Sequence, residues 1–386
     1  MRKPHVALVA WRIASPDLPA GHLARIVERA SERVDFTVVC TELAPELRPL
    51  VRWRRVPRVG AGWGRLPWAV FFATAWARLR GVRADLVHTV GPAPLLPGRV
   101  DLASVGYCHS LYHGAVGHWP VHGLRRAWRF ALAAFLAVER ACYRRGRVRL
   151  LGAECESGRR TLERYFPDVE ATVVPTFPID TSRFRAAPAE RAALRREEGI
   201  GEDDVIAIFV GRYWALKGLE LAIEGLAQAS RLGTGSLHLW VLGGGDVPRY
   251  ERVAARAGVA DRVRFFGLRS DVERYYQASD VLVLPTLCET FCRAAYEAAA
   301  TSLPIVATAV DGVTDLVGNS EAGVLVDRDA GAIGAALARL SADPGLRARM
   351  GAEGRRRSLE HTVERSADAF VAAYERLLAE SDDPVR

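Results

Sequence analysis

Nothing in these 386 residues is apolar for long enough to cross a bilayer. The most apolar stretch, Ala127 to Val138, is interrupted by Arg129 and followed by Glu139 and Arg140, short of the ~18 to 20 residues a spanning helix needs. No secretory leader is expected either: the opening MRKPHVALVAWRIASPDLPAG has basic residues and a short apolar run, but Trp11 and Arg12 cut the run and no small-residue cleavage site follows. The cysteines (Cys40, Cys108, Cys142, Cys155, Cys288 and Cys292) form no CxxC pair and no metal-ligand spacing. Free thiols in a reducing, cytoplasmic compartment are the simpler expectation. A GxxxxGK[ST] loop is missing, and so is a GxGxxG after the first strand, which removes the usual support for a nucleotide triphosphatase or a dinucleotide dehydrogenase. No helix-turn-helix or zinc-finger signature accompanies the basic residues, so nucleic acid is not an expected partner.

What is present argues for a folded chain: 49% of residues are hydrophobic and 25% charged. The length suits two domains of ~150 to 200 residues, each with its own core, and a cleft between them. Charge is unevenly spread. Residues 1 to 185 hold 29 Lys and Arg against 15 Asp and Glu, and the remainder 24 against 30. Within the basic half, Arg52 to Arg83 interleaves arginines with Trp53, Trp63, Trp68, Phe71, Phe72 and Trp76. That pattern fits peripheral contact with an anionic membrane at its inner face, and equally an arginine-rich solvated face over core aromatics.

Short β-branched runs alternate with helical patterns, the signature of βαβ units and a parallel sheet. The first half offers strands at 5 to 10, 35 to 41, 85 to 90, 101 to 110 and 172 to 177, with helices at 22 to 31 and 124 to 145. A linker is expected at Pro178 to Arg185. The pattern restarts with strands at 205 to 210, 237 to 242, 262 to 267, 281 to 285, 304 to 308 and 323 to 326, followed by a helical tail from 330 to 380. The expected fold is α/β, two doubly wound domains: residues 1–180 as acceptor domain, 186–360 as donor domain, and 361–386 as a helix packing back toward the first.

Two motifs carry chemistry. GRYWALKG (211 to 218) follows a strand and opens a helix, which places Arg212 and Lys217 where an anion sits by free backbone N–H groups. Their alternative role is as two surface cations at a βα turn. ETFCRAAYE (289 to 297) begins just after the strand VLVLP, so Glu289 stands at the carboxyl end of a parallel strand, where open α/β sheets bind ligands. Glu297 follows about two helical turns later, so both carboxylates can face one site. Cys288 and Cys292 flank Glu289 without partners at metal-ligand spacing, and packing is the expected role.

The E-x7-E of Glu289 and Glu297, preceded by YYQASDVLVLP and followed by LPIVATAVDGVTDLV, resembles the retaining glycosyltransferases of the GT-B fold, in particular glycosyltransferase family 4. The likeness covers Val205 to about Asp327 and includes VGR...KG and RVRFFG in order. It implies two Rossmann-like domains facing a cleft and transfer of a sugar, a hexose by the family's habit, from a nucleoside diphosphate to an acceptor hydroxyl. Glu289 would contact the donor sugar, with Thr290, Phe291 and Cys292 beside the phosphates. Glu297 would hold the ribose, Arg212 and Lys217 the leaving diphosphate, and Gly267 and Leu268 the base. In the first domain, Gly21 in PAGH would sit at the helix by the donor phosphate, and His109 near the donor sugar; His88 and His113 are rivals for that role. A UDP-sugar is favoured over a GDP-sugar, no metal is required, and the acceptor is a glycan, a lipid or a small molecule. The chain departs from the family at Cys292 and Ser302, where Gly is usual, and at Thr176, where Asn is usual. Alternatives are a GT-B sugar epimerase, an inverting transferase or an inactive nucleotide-sugar-binding protein.

Overall fold

The computed structural model describes residues 2–14, 21–57, 65–91, 98–106, 108, 110–111, 136–234, 236–318 and 320–381, with 65–70 and 72 as backbone only. The chain divides into two compact units, Met1–Pro178 with Val363–Arg386, and Ile179–Thr362.

In the first unit seven parallel strands run in the order β3-β2-β1-β4-β5-β6-β7. They are β1 (His5–Ala10), β2 (Asp35–Cys40), β3 (Arg52–Arg55), β4 (Leu86–Val90), β5 (Val100–Ser104), β6 (Val148–Ala153) and β7 (Glu170–Val173). Helices α1 (His22–Ala30), α2 (Arg65–Leu79) and α3 (Glu156–Tyr165) lie between them. Central strands such as VALVA are buried residue after residue, the pattern of a sheet covered on both faces. Helix α1 buries Leu23, Ala24, Ile26, Val27 and Ala30, a three-and-four spacing that turns one stripe to the sheet.

Two of these strands escape a reading of sequence pattern. Strand β3 is RWRR, which has no apolar alternation; it forms because it is the sheet edge, where arginines reach water and also discourage further strand pairing. Strand β6 is only six residues and directly follows the basic helical pattern expected to run to Arg145. The described part of that helix ends at residue 142, and the strand is needed to pair β5 with β7.

The second unit has six parallel strands in the order β10-β9-β8-β11-β12-β13: β8 (Val205–Val210), β9 (Leu237–Leu242), β10 (Val263–Gly267), β11 (Val281–Leu284), β12 (Ile305–Ala307) and β13 (Gly323–Leu325). Its helices are α4 (Pro188–Glu197), α5 (Trp214–Lys217), α6 (Leu219–Arg231), α7 (Val247–Ala257), α8 (Val272–Ala278), α9 (Arg293–Ala300), α10 (Val313–Val317), α11 (Ala330–Ala342) and α12 (Pro344–Ser358). The strand order reverses between β8 and β11, so the loops leaving those two strands meet at a topological switch point.

Helix α13 (Val363–Ala379) belongs to the first unit, where Ala367, Phe370, Val371, Tyr374 and Leu377 join the core of β1, β2 and α1. His88, fully buried on β4, is bonded to Tyr374 OH at 2.7 Å and Ser104 Oγ at 2.9 Å. Burial pushes its pKa down to about 3, so it is a neutral tie between sheet and helix.

Ser302 shows what a departure from glycine costs. It lies at φ 66°, just past α9, where Ser302 N donates to Ala299 O at 2.9 Å and Leu303 N to Ala298 O at 3.0 Å. Those two bonds make a Schellman cap, whose left-handed residue is normally glycine. Ser302→Gly is therefore expected to raise unfolding stability by up to ~1 kcal/mol, the order of the left-handed penalty, and a thermal or urea melt that shows no gain would count against that reading.

Candidate functional site

The loops after β8 and β11 are brought together by close backbone packing. Helix α5 is one turn, entered through Tyr213 at φ 56° and left through Gly218 at φ 80°. A Cβ on Gly218 would stand 2.3 Å from Pro285 O, at the end of β11, so only glycine lets the two loops approach this closely. Leu287 N donates to Leu216 O at 3.0 Å across the same junction. A third loop, GGG at 243 to 245 after β9, closes against the first: a Cβ on Gly243 would lie 1.8 Å from Gly211 O, and one on Gly245 2.3 Å from the Trp214 ring. Sequence reasoning passed over this triple glycine, although three glycines after a strand are a signal of close backbone approach.

The result is an ion pair. Lys217 Nζ donates to Glu289 Oε1, and Thr286 Oγ1 donates to the same oxygen at 3.0 Å. Burial works to lower the Lys217 pKa, but the Glu289 charge and hydrogen bond outweigh it and raise the pKa, so the ammonium stays charged. One of its three donors is spent on Glu289, leaving two for another anion. Arg212 is exposed and has no ion-pair partner among the described residues.

Glu297 is buried, with Oε2 accepting from Tyr276 OH at 3.2 Å and Oε1 from Arg293 Nη2 at 2.8 Å. The Arg293 contact is legible in the i, i+4 spacing, whereas Tyr276 comes from α8 and only the packing of α8 beside α9 places it. Cys292 caps α9 at φ −83°, a backbone that needs no glycine, and it is 1% exposed with its thiol pushed up to about 12 by burial. Cys288 is half-buried and its thiol is pushed up to about 11 by burial, with Glu289 adding to the shift. Both thiols are therefore protonated. Phe291 is buried and stacks on Tyr296, ring centroids 4.5 Å apart, while Thr290 is half-buried. Gly267, at φ 67°, accepts from Gly243 N at 2.8 Å; beside it Leu268 is 67% exposed. These residues surround the loops of β8, β9, β10 and β11. Among the described residues no cluster of three His, Cys, Asp or Glu is placed to hold a metal.

In the first unit Gly21 caps α1, while His109 and His113 lie outside the described residues, as does Trp63. His88 is in the core and unsuited to touch a ligand. Of the basic aromatic segment, Phe71 is buried and 5.0 Å from Trp11, ring to ring. Trp53 lies under Arg48 and Arg55, and Trp76 under Arg80 at 3.9 Å. Thr176 is held by a carboxylate that sequence reasoning missed: Glu154, directly after β6, accepts from Thr176 N at 2.6 Å and from Thr176 Oγ1. Burial pushes Glu154 up to about 7 even against these bonds.

Comparison with known proteins falls along the same division. Residues 190–357 match the family described as glycosyl transferases group 1, and residues 20–183 that described as Glycosyltransferase Family 4. A D-inositol 3-phosphate glycosyltransferase of Geodermatophilus obscurus is 32% identical over 391 residues, spanning 91% of this chain and 82% of that one. Among solved structures, WaaG, a glycosyltransferase involved in lipopolysaccharide biosynthesis, superposes with a TM-score of 0.74 at 20% identity, covering 95% of this chain and 98% of that one. Anabaena HepE in complex with UDP and glucose does so with a TM-score of 0.67 at 15% identity, covering 97% of this chain and 100% of that one. At those identities the structural likeness is one of fold.

Proposed function

The chain belongs to glycosyltransferase family 4 and is a glycosyltransferase of the GT-B fold, and from there we propose that it moves a hexose from a nucleoside diphosphate to an acceptor hydroxyl with retention at the anomeric carbon. The observation that carries this reading is the Lys217–Glu289 pair at the switch point of the second sheet, with Glu297 two turns along α9. In the proposed step the anomeric C–O bond to the diphosphate breaks and its electron pair leaves with the phosphate. The acceptor oxygen bonds to the same face of the sugar, and its proton passes to the departing phosphate oxygen. Arg212 and the free donors of Lys217 stabilise the growing phosphate charge. Glu289 faces the sugar, Glu297 takes the ribose hydroxyls, and Gly267 with the exposed Leu268 meets the base, a uracil ahead of a guanine. Thr290, Phe291 and Cys292 line the phosphate side through their backbone. Gly21 and His109 are assigned to the first unit's side of the donor.

Release of nucleoside diphosphate from a panel of UDP-, GDP- and ADP-sugars, with an acceptor mixture present, tests the activity and reads the base. Sugar interconversion without transfer would identify an epimerase, and binding without release an inactive relative. If Arg212 and Lys217 hold the diphosphate, Arg212→Ala and Lys217→Ala each weaken UDP binding by ~1.5 to 3 kcal/mol, the range for hydrogen bonds to charged groups; calorimetry giving wild-type affinity in both removes them from the site.

The acceptor is proposed to be membrane-proximal, because the edge strand β3 and the following segment display Arg48, Arg52, Arg54, Arg55 and Arg80 around Trp53 and Trp76. No described helix is long and apolar enough to cross a membrane, so contact would be peripheral. Co-sedimentation with anionic vesicles that falls as salt rises is the expected result. Equal recovery with neutral vesicles would point to a glycan or small-molecule acceptor free in solution.

A further inference from the structure

At the other end of the second sheet, away from the donor loops, there is a cavity of about 260 Å3. Its position is set by Asp280, the residue before β11, and Pro304, the residue before β12, so it opens at the amino ends of the strands whose carboxyl ends lead to the proposed donor site. Its walls combine three features that packing alone does not account for.

The first is charge. Asp280 is the carboxylate of the wall, and both its oxygens are taken: Oδ1 by Arg191 Nη2 at 2.7 Å, Oδ2 by Arg195 Nη1 at 3.2 Å and by Ile206 N at 2.8 Å. Arg347, also on the wall, donates Nη1 to Leu340 O at 2.6 Å and Ser341 O at 3.0 Å and has no carboxylate partner among the described residues. Three guanidiniums thus answer one carboxylate. Half-buried, with its Nε and Nη2 unused by protein acceptors among the described residues, Arg347 favours an anion beside it.

The second feature is an acceptor. Gln277 Nε2 donates to Arg185 O at 3.2 Å, but Gln277 Oε1 is buried and accepts nothing. An unmet buried acceptor costs ~1 to 3 kcal/mol and calls for a donor. The third is Ser302, whose hydroxyl lines the cavity from a left-handed backbone position that glycine would occupy at lower cost. Strain kept at a wall residue is a pointer to a role for its side chain.

We propose that this cavity binds a small hydroxylated anion, its phosphate or carboxylate against Arg347 and Arg191, and its hydroxyl donating to Gln277 Oε1 within reach of the Ser302 hydroxyl. The volume is below that of drug-sized pockets, which sets the ligand at roughly ten heavy atoms. Apolar contact comes from Pro188 and Leu303.

The test is calorimetry on the full chain with UDP present in excess to occupy the donor loops, titrating glycerol 3-phosphate in one arm and glycerate in the other. Binding of at least one probe is expected, and the arm that binds tells phosphate from carboxylate. Arg347→Gln and Gln277→Leu are each expected to weaken that binding about tenfold or more, with UDP affinity and melting temperature unchanged. Should Arg347→Gln fail to fold for want of its two carbonyl bonds, Gln277→Leu, close to isosteric, decides. No heat from either probe up to ~10 mM, or equal heat in wild type and folded variants, overturns the assignment. The outcome does not depend on the donor reading, because the variants report on the cavity whether or not UDP binds.

Discussion

Glu289→Gln is expected to lower turnover by about 10²- to 10³-fold, the scale for losing one preorganised polar contact to the reacting centre, while UDP affinity stays within about threefold or tightens. The reasoning is geometric. Glu289 is held by Thr286 and Lys217 at the tip of β11, and its proposed partner is the sugar, which free UDP lacks. Neutralising it also releases Lys217 from its ion pair, leaving that ammonium more available to phosphate. Glu297→Gln should separate from it, weakening UDP and donor alike with turnover largely kept, because ribose contacts are the same in ground and transition states. Steady-state kinetics with nucleotide binding measured in parallel distinguishes the two. A folded Glu289→Gln protein that turns over at the wild-type rate would end the catalytic assignment and leave the carboxylate as a partner of Lys217 only.

The second large effect is on stability, and it sits in the first unit. Glu154 has its pKa pushed from the ordinary 4.5 up to about 7 by complete burial, with its bonds to Thr176 and Phe177 opposing the shift. A carboxyl whose folded pKa lies above its unfolded one holds its proton more tightly when folded. Its contribution is therefore greatest below about 4.5 and is lost as pH rises to about 7, a total of roughly 3 kcal/mol. Glu154→Gln keeps a neutral, hydrogen-bonding side chain at every pH. It should be more stable than wild type at pH 8 and close to it at pH 5, with a flatter stability profile between. Urea unfolding across that range checks this, and parallel profiles for the two proteins would show that Glu154 titrates normally.

The site was legible where chemistry and local spacing coincide. Arg212, Lys217, Glu289 and Glu297 stand next to strand ends in the sequence, and a strand end at the carboxyl side of a parallel sheet is a ligand position whatever surrounds it. Their partners were not legible. Thr286, Tyr276 and the triple glycine at 243 to 245 acquire their roles only when loops from β8, β9 and β11 converge. Glu154 looks like one more surface carboxylate until β6 is recognised, and β6 was hidden because six residues behind a basic helix pattern carry too little periodicity to identify a strand.

What the amino-acid order determined by itself is the class of fold and the family: two runs of alternating strand and helix, and the E-x7-E in its setting, are local patterns that survive without knowledge of contacts. Tertiary structure decided the charge state and partners of each group. It paired Lys217 with Glu289, buried His88 against Tyr374, drove Glu154 toward neutrality and set Ser302 in a left-handed cap beside a positively charged cavity. These follow from burial and from neighbours distant in the chain, and since desolvation and Coulomb terms depend on who lies within a few ångströms, no reading of adjacent residues alone supplies them.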